Sequence, residues 1–153
     1  MESLIARITA DFKTAMKEGG IKLDTLRLLR AALQNREIEK RSKGESTDLV
    51  DADVLEVVSR EIKKRREAAE MFLKGGREDS AVQEKAELAI LETYLPPQMN
   101  EREVKEVIQK AIAVTGATAA KDFGKVMGEA MKTLKGKADT SVVSRLMKEA
   151  LGG

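Results

Sequence analysis

Lysines and glycines near the C-terminal end of the chain are spaced so that they could bind phosphate groups. Four lysines fall on one face of a helical wheel drawn at about 100° per residue: Lys121, Lys125, Lys132 and Lys135. Gly124 and Gly128 lie beside them, and Lys137 follows in the next loop. A glycine weakens a helix by about 1 kcal/mol relative to alanine, so the pair suggests that something approaches the backbone closely. A phosphodiester chain fits this arrangement.

A structural interpretation of the same pattern remains open on the sequence alone. In it, the lysines lie on a solvated helix face and the glycines allow a neighbouring helix to pack. Phe123, Val126 and Leu134 occupy the opposite half of the wheel. The lysines are therefore expected to point away from the core under every interpretation.

A second basic run, Lys63-Lys64-Arg65-Arg66, points around most of the circumference of a helix and so forms no one-sided patch. Arg65 shares its angle on the wheel with Val58 and Ile62. We expect Arg65 either to extend its stem along apolar surface or to pair with a carboxylate inside a helical hairpin.

The sequence offers few groups for catalysis. It has no histidine and no cysteine, which excludes a histidine base, a cysteine nucleophile and metal sites built from those ligands. Gly124-Lys125 precedes Val126, where a Walker phosphate loop needs Ser or Thr. A group of carboxylates lacks the pattern of a calcium loop and is more typical of a helix N-terminus. These are Asp48, Asp51, Asp53 and Glu56. We predict no catalytic residue, no metal site and no cofactor.

Composition favours an all-α chain. The 153 residues are 42% hydrophobic and 35% charged, with only 3% aromatic residues and two prolines, which is poor in strand and turn formers. Apolar periodicity predicts seven helices, ended by features such as Gly19-Gly20 and Pro96-Pro97. Their expected ranges are 2–18, 24–41, 51–73, 79–95, 100–116, 119–134 and 140–151.

Some local features of these helices are specific enough to be checked one by one. Met16 of the first helix and Ile38 of the second are expected on apolar faces. The apolar face predicted for the fourth helix consists of Val82, Ala86, Ile90 and Tyr94. Asn100 followed by Glu103 predicts a capping box at the start of the fifth helix.

The prolines also mark an expected domain boundary. We predict an N-terminal helical hairpin domain of about four helices at residues 1–97, and a small three-helix domain at residues 98–153. Residues 1–98 hold 18 basic and 19 acidic residues, whereas residues 99–153 hold 10 basic and 7 acidic residues. No apolar run approaches the roughly 20 residues that cross a bilayer, and the first residues lack the apolar stretch of a signal peptide. We expect a bacterial, cytoplasmic protein without a membrane partner.

Four segments, in this order and spacing, closely resemble the YqeY family of the GatB/YqeY group: LDTLRLLRAALQNREIEKR, VVSREIKKRREAAEMF, ELAILETYLPPQM and DFGKVMGEAMKTLKGKADTSVVSRLMKEAL. The resemblance implies a helical hairpin domain followed by a three-helix domain. The last segment is similar to the tail of the B subunit of the tRNA-dependent aspartyl/glutamyl amidotransferase, which is associated with holding tRNA. The positions that match this tail are Gly124, Lys125, Met127, Gly128, Lys135, Gly136, Lys137, Ala138 and Asp139.

Three functions follow from the residues and the resemblance together. The leading hypothesis is an accessory module that binds tRNA or another structured RNA beside amidotransferase or translation components, without a catalytic site of its own. The second is an amidotransferase-like protein with carbon–nitrogen ligase activity and glutamine as amide donor, as the family association implies. The third is a protein–protein adaptor that uses the near-neutral N-terminal hairpin.

Overall fold

The computed structural model describes residues 2–152, and this part of the chain consists of helices and connecting segments without a strand. The helices are α1 Leu4–Glu18, α2 Gly20–Ser42, α3 Asp51–Lys74, α4 Glu78–Glu92, α5 Glu101–Thr115, α6 Phe123–Leu134 and α7 Thr140–Ala150. A 3-10 turn, Ala120–Asp122, precedes α6. The all-α prediction is confirmed. Contacts divide the chain into two compact units, Met1–Leu95 and Pro96–Gly153.

The first unit contains α1 to α4, and apolar residues from all four helices form its core. They are Ile8, Ala15, Leu23, Leu26, Leu29, Leu33, Val54, Val57, Val58, Ile62, Leu91 and Tyr94. Tyr94 is 2% exposed, and its hydroxyl donates a hydrogen bond of 2.6 Å to the carboxylate of Asp11. The ring therefore lies in the core while its polar end is satisfied.

Several predicted apolar positions of this unit are not buried. Met16 and Ile38 are exposed, and so is Val82. Of the face predicted for the fourth helix, Tyr94 is buried, Ala86 and Ile90 are half-buried, and the fully buried residues within α4 are Ala81, Glu87 and Leu91. The buried face of α4 is thus turned about the helix axis by about one residue relative to the predicted face. This buried face includes the charged side chain of Glu87.

The junction between α1 and α2 is shorter than predicted. Gly19 ends α1 with φ of 71° and donates its N–H to the carbonyl of Ala15 at 2.7 Å. Gly20 also has a positive φ, 77°, and already belongs to α2. Two successive glycines in this region allow the chain to reverse without a loop, because residues with a Cβ rarely adopt these angles. The second helix therefore starts four residues before its predicted start.

Arg65 is a buried charge that joins α3 to α4. Its side chain is 7% exposed and lies 2.8 Å from the carboxylate of Glu61 and 3.3 Å from that of Glu87. The expectation that Arg65 pairs with a carboxylate inside the hairpin is confirmed. A buried guanidinium needs such partners, because an unpaired charge in this position costs several kcal/mol.

Asp53 forms a second buried cluster, at the start of α3. Its carboxylate accepts hydrogen bonds from Lys40 Nζ at 2.8 Å, Val50 N–H at 3.2 Å and Arg36 Nη2 at 3.2 Å. The hydrogen bond from Lys40 first, then those from Val50 and Arg36, hold the pKa of Asp53 below its usual value. Among residues 2–152 no group of carboxylates is arranged to hold a metal ion.

The second unit contains α5, α6, α7 and the 3-10 turn around a separate core. Its buried residues are Val104, Ile108, Ala111, Val126, Ala130, Leu134, Val143, Leu146 and Met147. The predicted capping box is present: Asn100 Oδ1 accepts from Glu103 N–H at 2.9 Å, and Glu103 Oε2 accepts from Asn100 N–H at 2.8 Å. Both termini of α5 agree with the prediction within one residue.

Replacement of Asp53 by Asn should lower the free energy of unfolding by about 2 kcal/mol at pH 7, because Lys40 and Arg36 lose a buried counter-charge. The native pKa of Asp53 is lowered, so its contribution is complete above the unfolded-state pKa of about 4 and disappears as the pH falls through the native value. Urea unfolding of wild type and variant at pH 7 and pH 3 measures this difference. Asp48→Asn, on an exposed residue nearby, is the control, and an equal loss at both pH values would contradict the assignment.

A fragment of residues 97–153 should fold alone, since it contains a complete core and both partners of its internal hydrogen bonds. Gln98 Nε2 donates to the carbonyl of Gly136 and Met99 N–H to that of Lys137, each at 2.8 Å. A shorter fragment that starts at Asn100 lacks these two bonds and should melt at a lower temperature. Amide NMR spectra show whether each fragment is folded, and thermal melting compares the two fragments. A collapsed spectrum for residues 97–153 would show that the two halves require each other.

Candidate nucleic-acid interface

Helix α6 presents one apolar and one polar face. Val126, Ala130 and Leu134 are buried in the core of the second unit, which directs the opposite face outward. The turn before α6 is closed by Asp122, whose carboxylate accepts the N–H groups of Thr118 at 3.0 Å and Ala119 at 3.4 Å. The local sequence thus fixes both the start of α6 and the direction of its lysines.

The predicted lysines lie on three successive segments rather than on one helix. Lys125 and Lys132 are exposed on the outer face of α6. Lys121 belongs to the 3-10 turn, and Lys135 is the residue after α6, with extended ψ of 121°. Lys137 follows in the loop to α7. The prediction of one continuous helix over 119–134 is therefore wrong in its first turn, and the wheel angles hold only for Lys125 and Lys132.

The lysines differ in whether the protein already neutralises them. Lys132 Nζ lies 2.8 Å from the carboxylate of Glu129 on the same helix. Lys121, Lys125, Lys135 and Lys137 have no carboxylate within 4.0 Å in the part of the chain that the structure describes. The pKa of Asp122 is lowered chiefly by the hydrogen bond from Thr118 N–H, and the charges of Lys121 and Lys125 act in the same direction. The charges of these two lysines therefore favour the ionised form of Asp122.

Gly124 and Gly128 lie on the outer face of α6 with open space beside them. A Cβ atom added at either residue would meet no atom of the described second unit within 4 Å, outside the glycine's two chain neighbours and the helix's own backbone. No helix of this unit therefore packs against the glycines, and the interpretation that they allow such packing is wrong within the unit. Neither glycine has a positive φ, so the backbone does not require glycine at these positions. What remains is a bare, accessible strip of helix backbone beside exposed lysines.

The loop between α6 and α7 is held in place by Gly136 and Asp139, which the sequence analysis identified, and by Gln98, which it missed. Gly136 has φ of 77°, which favours glycine there. The side chain of Gln98 bridges the carbonyl groups of Pro96 and Gly136, at 2.8 Å each. Asp139 Oδ1 accepts from Ser141 N–H at 2.8 Å and caps α7. The role of Gln98 is not visible in the sequence, because a Gln after two prolines has no characteristic pattern.

We define the α6 surface as the seven residues predicted from the sequence: Lys121, Gly124, Lys125, Gly128, Lys132, Lys135 and Lys137. The structure places all of them on the 3-10 turn, α6 and the loop that follows. Unpaired ammonium groups and an open backbone can receive an anion, since no side chain at Gly124 or Gly128 blocks its approach. The surface contains no nucleophile with an adjacent base.

Comparison with known proteins identifies relatives along nearly the whole chain. The family model described as Yqey-like protein matches residues 5–151. The protein named altered inheritance of mitochondria protein 41, from Pyrenophora tritici-repentis, is 30% identical over 97% of this chain and 81% of its own length. The protein of that name from Eremothecium gossypii is 32% identical over 60% of this chain and 48% of its own length.

Both names describe those relatives as mitochondrial, so the relatives do not share the bacterial, cytoplasmic setting expected from the sequence. Within residues 2–152 no helix combines the length and apolar character needed to span a membrane. The resemblance noted in the sequence is confirmed at the level of the family. The chain belongs to the YqeY family.

Proposed function

We propose that the C-terminal unit binds structured RNA through the α6 surface, with tRNA as the class favoured by the resemblance to the amidotransferase tail. The observation that carries the proposal is the combination of four unpaired lysines with two glycines whose outer side is open. Lysines outside any ion pair with the described residues can release the counterions of a phosphate backbone at no cost in broken ion pairs. The open glycines let that backbone come close to α6.

The proposed role is that of an accessory module beside amidotransferase or translation components. The chain has no histidine, no cysteine and no Walker phosphate loop, and under this proposal the chemistry of amide transfer comes from another protein. Binding and positioning of RNA requires only charge and shape, which the α6 surface provides. The module would thus hold the RNA while a partner supplies the chemistry.

Replacement of Lys121, Lys125, Lys132 and Lys135 by glutamine should weaken the binding of tRNA and flatten its salt dependence. Each phosphate contact contributes a slope of about −0.7 to −0.9 in a plot of log affinity against log salt concentration. Four lost contacts should thus flatten the slope by about 3. Fluorescence anisotropy with labelled tRNA between 50 and 200 mM salt, on the order of the range where such contacts respond, measures both quantities.

The matched control replaces four exposed lysines of the first unit, Lys13, Lys17, Lys22 and Lys85, which removes the same charge elsewhere. This variant should keep most of the slope. Among single variants, Lys125→Gln should cost more affinity than Lys132→Gln, because Lys132 must first leave Glu129. Equal losses in the two fourfold variants would mean that RNA responds only to net charge, and the α6 surface would lose its role.

Gly128 provides a test that changes no charge. Gly128→Ala should raise the stability of the second unit by up to about 1 kcal/mol, since the added Cβ enters open space and alanine favours the helix. Gly128→Leu should reduce RNA affinity while the salt slope stays unchanged, because the side chain holds the RNA away from the backbone. Thermal melting and the same anisotropy titration measure the two effects. Unchanged affinity in Gly128→Leu would show that nothing approaches α6 closely.

A further inference from the structure

The first unit contains an open cleft of about 530 Å³ that the proposed function does not use. Its walls are the stretch of α2 from Leu28 to Glu39, the stretch of α3 from Val57 to Ala68, and two glutamates of α4. Eleven residue steps of a helix span about 16 Å, so the two longer walls each extend over about three turns. The cleft thus has the length of a short helix.

Apolar groups line part of this cleft, and some of them are exposed. Leu28 is 52% exposed and Ala31 is exposed, whereas Ala68 is half-buried and Ala32 is half-buried against the core of the first unit. All four are lining residues. A half-exposed leucine beside alanines on adjacent helices provides an apolar surface that a second helix could cover.

Every cation in the cleft is already paired within the first unit. Arg36 contacts Glu39 at 3.3 Å and Asp53 at 3.2 Å, and Arg60 contacts Glu56 at 2.6 Å. The remaining two cations are equally occupied, with Lys64 at 3.2 Å and Arg65 at 2.8 Å from the carboxylate of Glu61. An anionic ligand such as RNA would have to displace these carboxylates, so the cleft is unsuited to phosphate.

Glu84 is the exception among the charged groups of the cleft. It has neither an ion pair nor a hydrogen bond of its side chain with the described residues 2–152. Burial and then the neighbouring charge of Glu87 raise its pKa, against a smaller opposing effect of Arg65. Glu84 is therefore the carboxylate of the cleft at which an added cation would lower the free energy.

We propose that this cleft docks an amphipathic helix of a partner protein, about three turns long, whose Lys or Arg pairs with Glu84. The apolar side chains of the partner helix would cover Leu28 and the adjacent alanines. The charge on the partner helix follows from the one unpaired carboxylate, and its apolar face follows from the uncovered residues of α2 and α3.

The probe is a peptide selected from a displayed library of 15-residue amphipathic helices, with the full chain as target. The selected peptides should carry a Lys or Arg on the same face as their apolar residues. Glu84→Gln should weaken the synthesised peptide about tenfold, as should Lys→Gln in the peptide, and the two changes together should cost little more than either alone. Leu28→Asp should weaken binding to a similar extent.

Two control variants match these changes outside the cleft. Glu70→Gln removes an exposed carboxylate of α3, and Val82→Asp changes a residue of α4 that is 66% exposed. Both should leave the peptide affinity unchanged. Glu84→Gln should also melt no lower than wild type, since it removes a repulsion from Glu87, and this separates lost binding from lost folding.

Four results would overturn the proposal. The first two are selected peptides without a basic residue, and equal affinity for wild type and Glu84→Gln. The third is failure of the library to yield any peptide that responds to Leu28→Asp. The fourth is self-association in sedimentation that the peptide displaces and Leu28→Asp abolishes, which would make a second copy of this chain the occupant.

Discussion

The buried guanidinium of Arg65 constrains much of the first unit. A charge with 7% exposure must be paired, and its two carboxylates come from different helices, Glu61 of α3 and Glu87 of α4. Glu87 must therefore face α3, and this requirement sets the rotation of α4 about its axis. The same rotation turns Val82 out to solvent and brings Glu84, three residues before Glu87, to the same side of the helix. The unpaired carboxylate of the cleft is thus a by-product of the pair that holds α3 and α4 together.

Helix ends and helix caps could be predicted from the sequence because they depend on one or two residues. Gly19 ends α1 and the capping box of Asn100 and Glu103 starts α5, as expected, and the cap of α7 is likewise a single residue, Asp139. The start of α2 at Gly20 was not predictable, because it depends on two glycines that adopt positive φ in succession. Periodicity alone could not place α4 correctly, since the wheel treats Glu87 as a surface residue.

For the candidate RNA surface too, the sequence was sufficient for features of a single helix and insufficient for features that depend on the folded structure. The direction of Lys125 and Lys132 follows from the apolar residues of their own helix, so the sequence was sufficient. The positions of Lys121 and Lys135 depend on where α6 starts and ends. A helical wheel treats both residues as helical, although they lie outside α6. The ion pairs of the lysines could not be predicted from the sequence either. Glu129 pairs with Lys132, and the other lysines of the α6 surface form no ion pair with the described residues.

Tyr94 has a consequence for how the protein can be observed. It is the only tyrosine, the chain has no tryptophan, and its ring lies in the core of the first unit with the hydroxyl bound to Asp11. Intrinsic tyrosine fluorescence therefore reports on the first unit alone, because the second unit contains no tyrosine. Far-UV circular dichroism records the helices of both units. A difference between the two melting curves would thus separate the unfolding of one core from that of the other without any label.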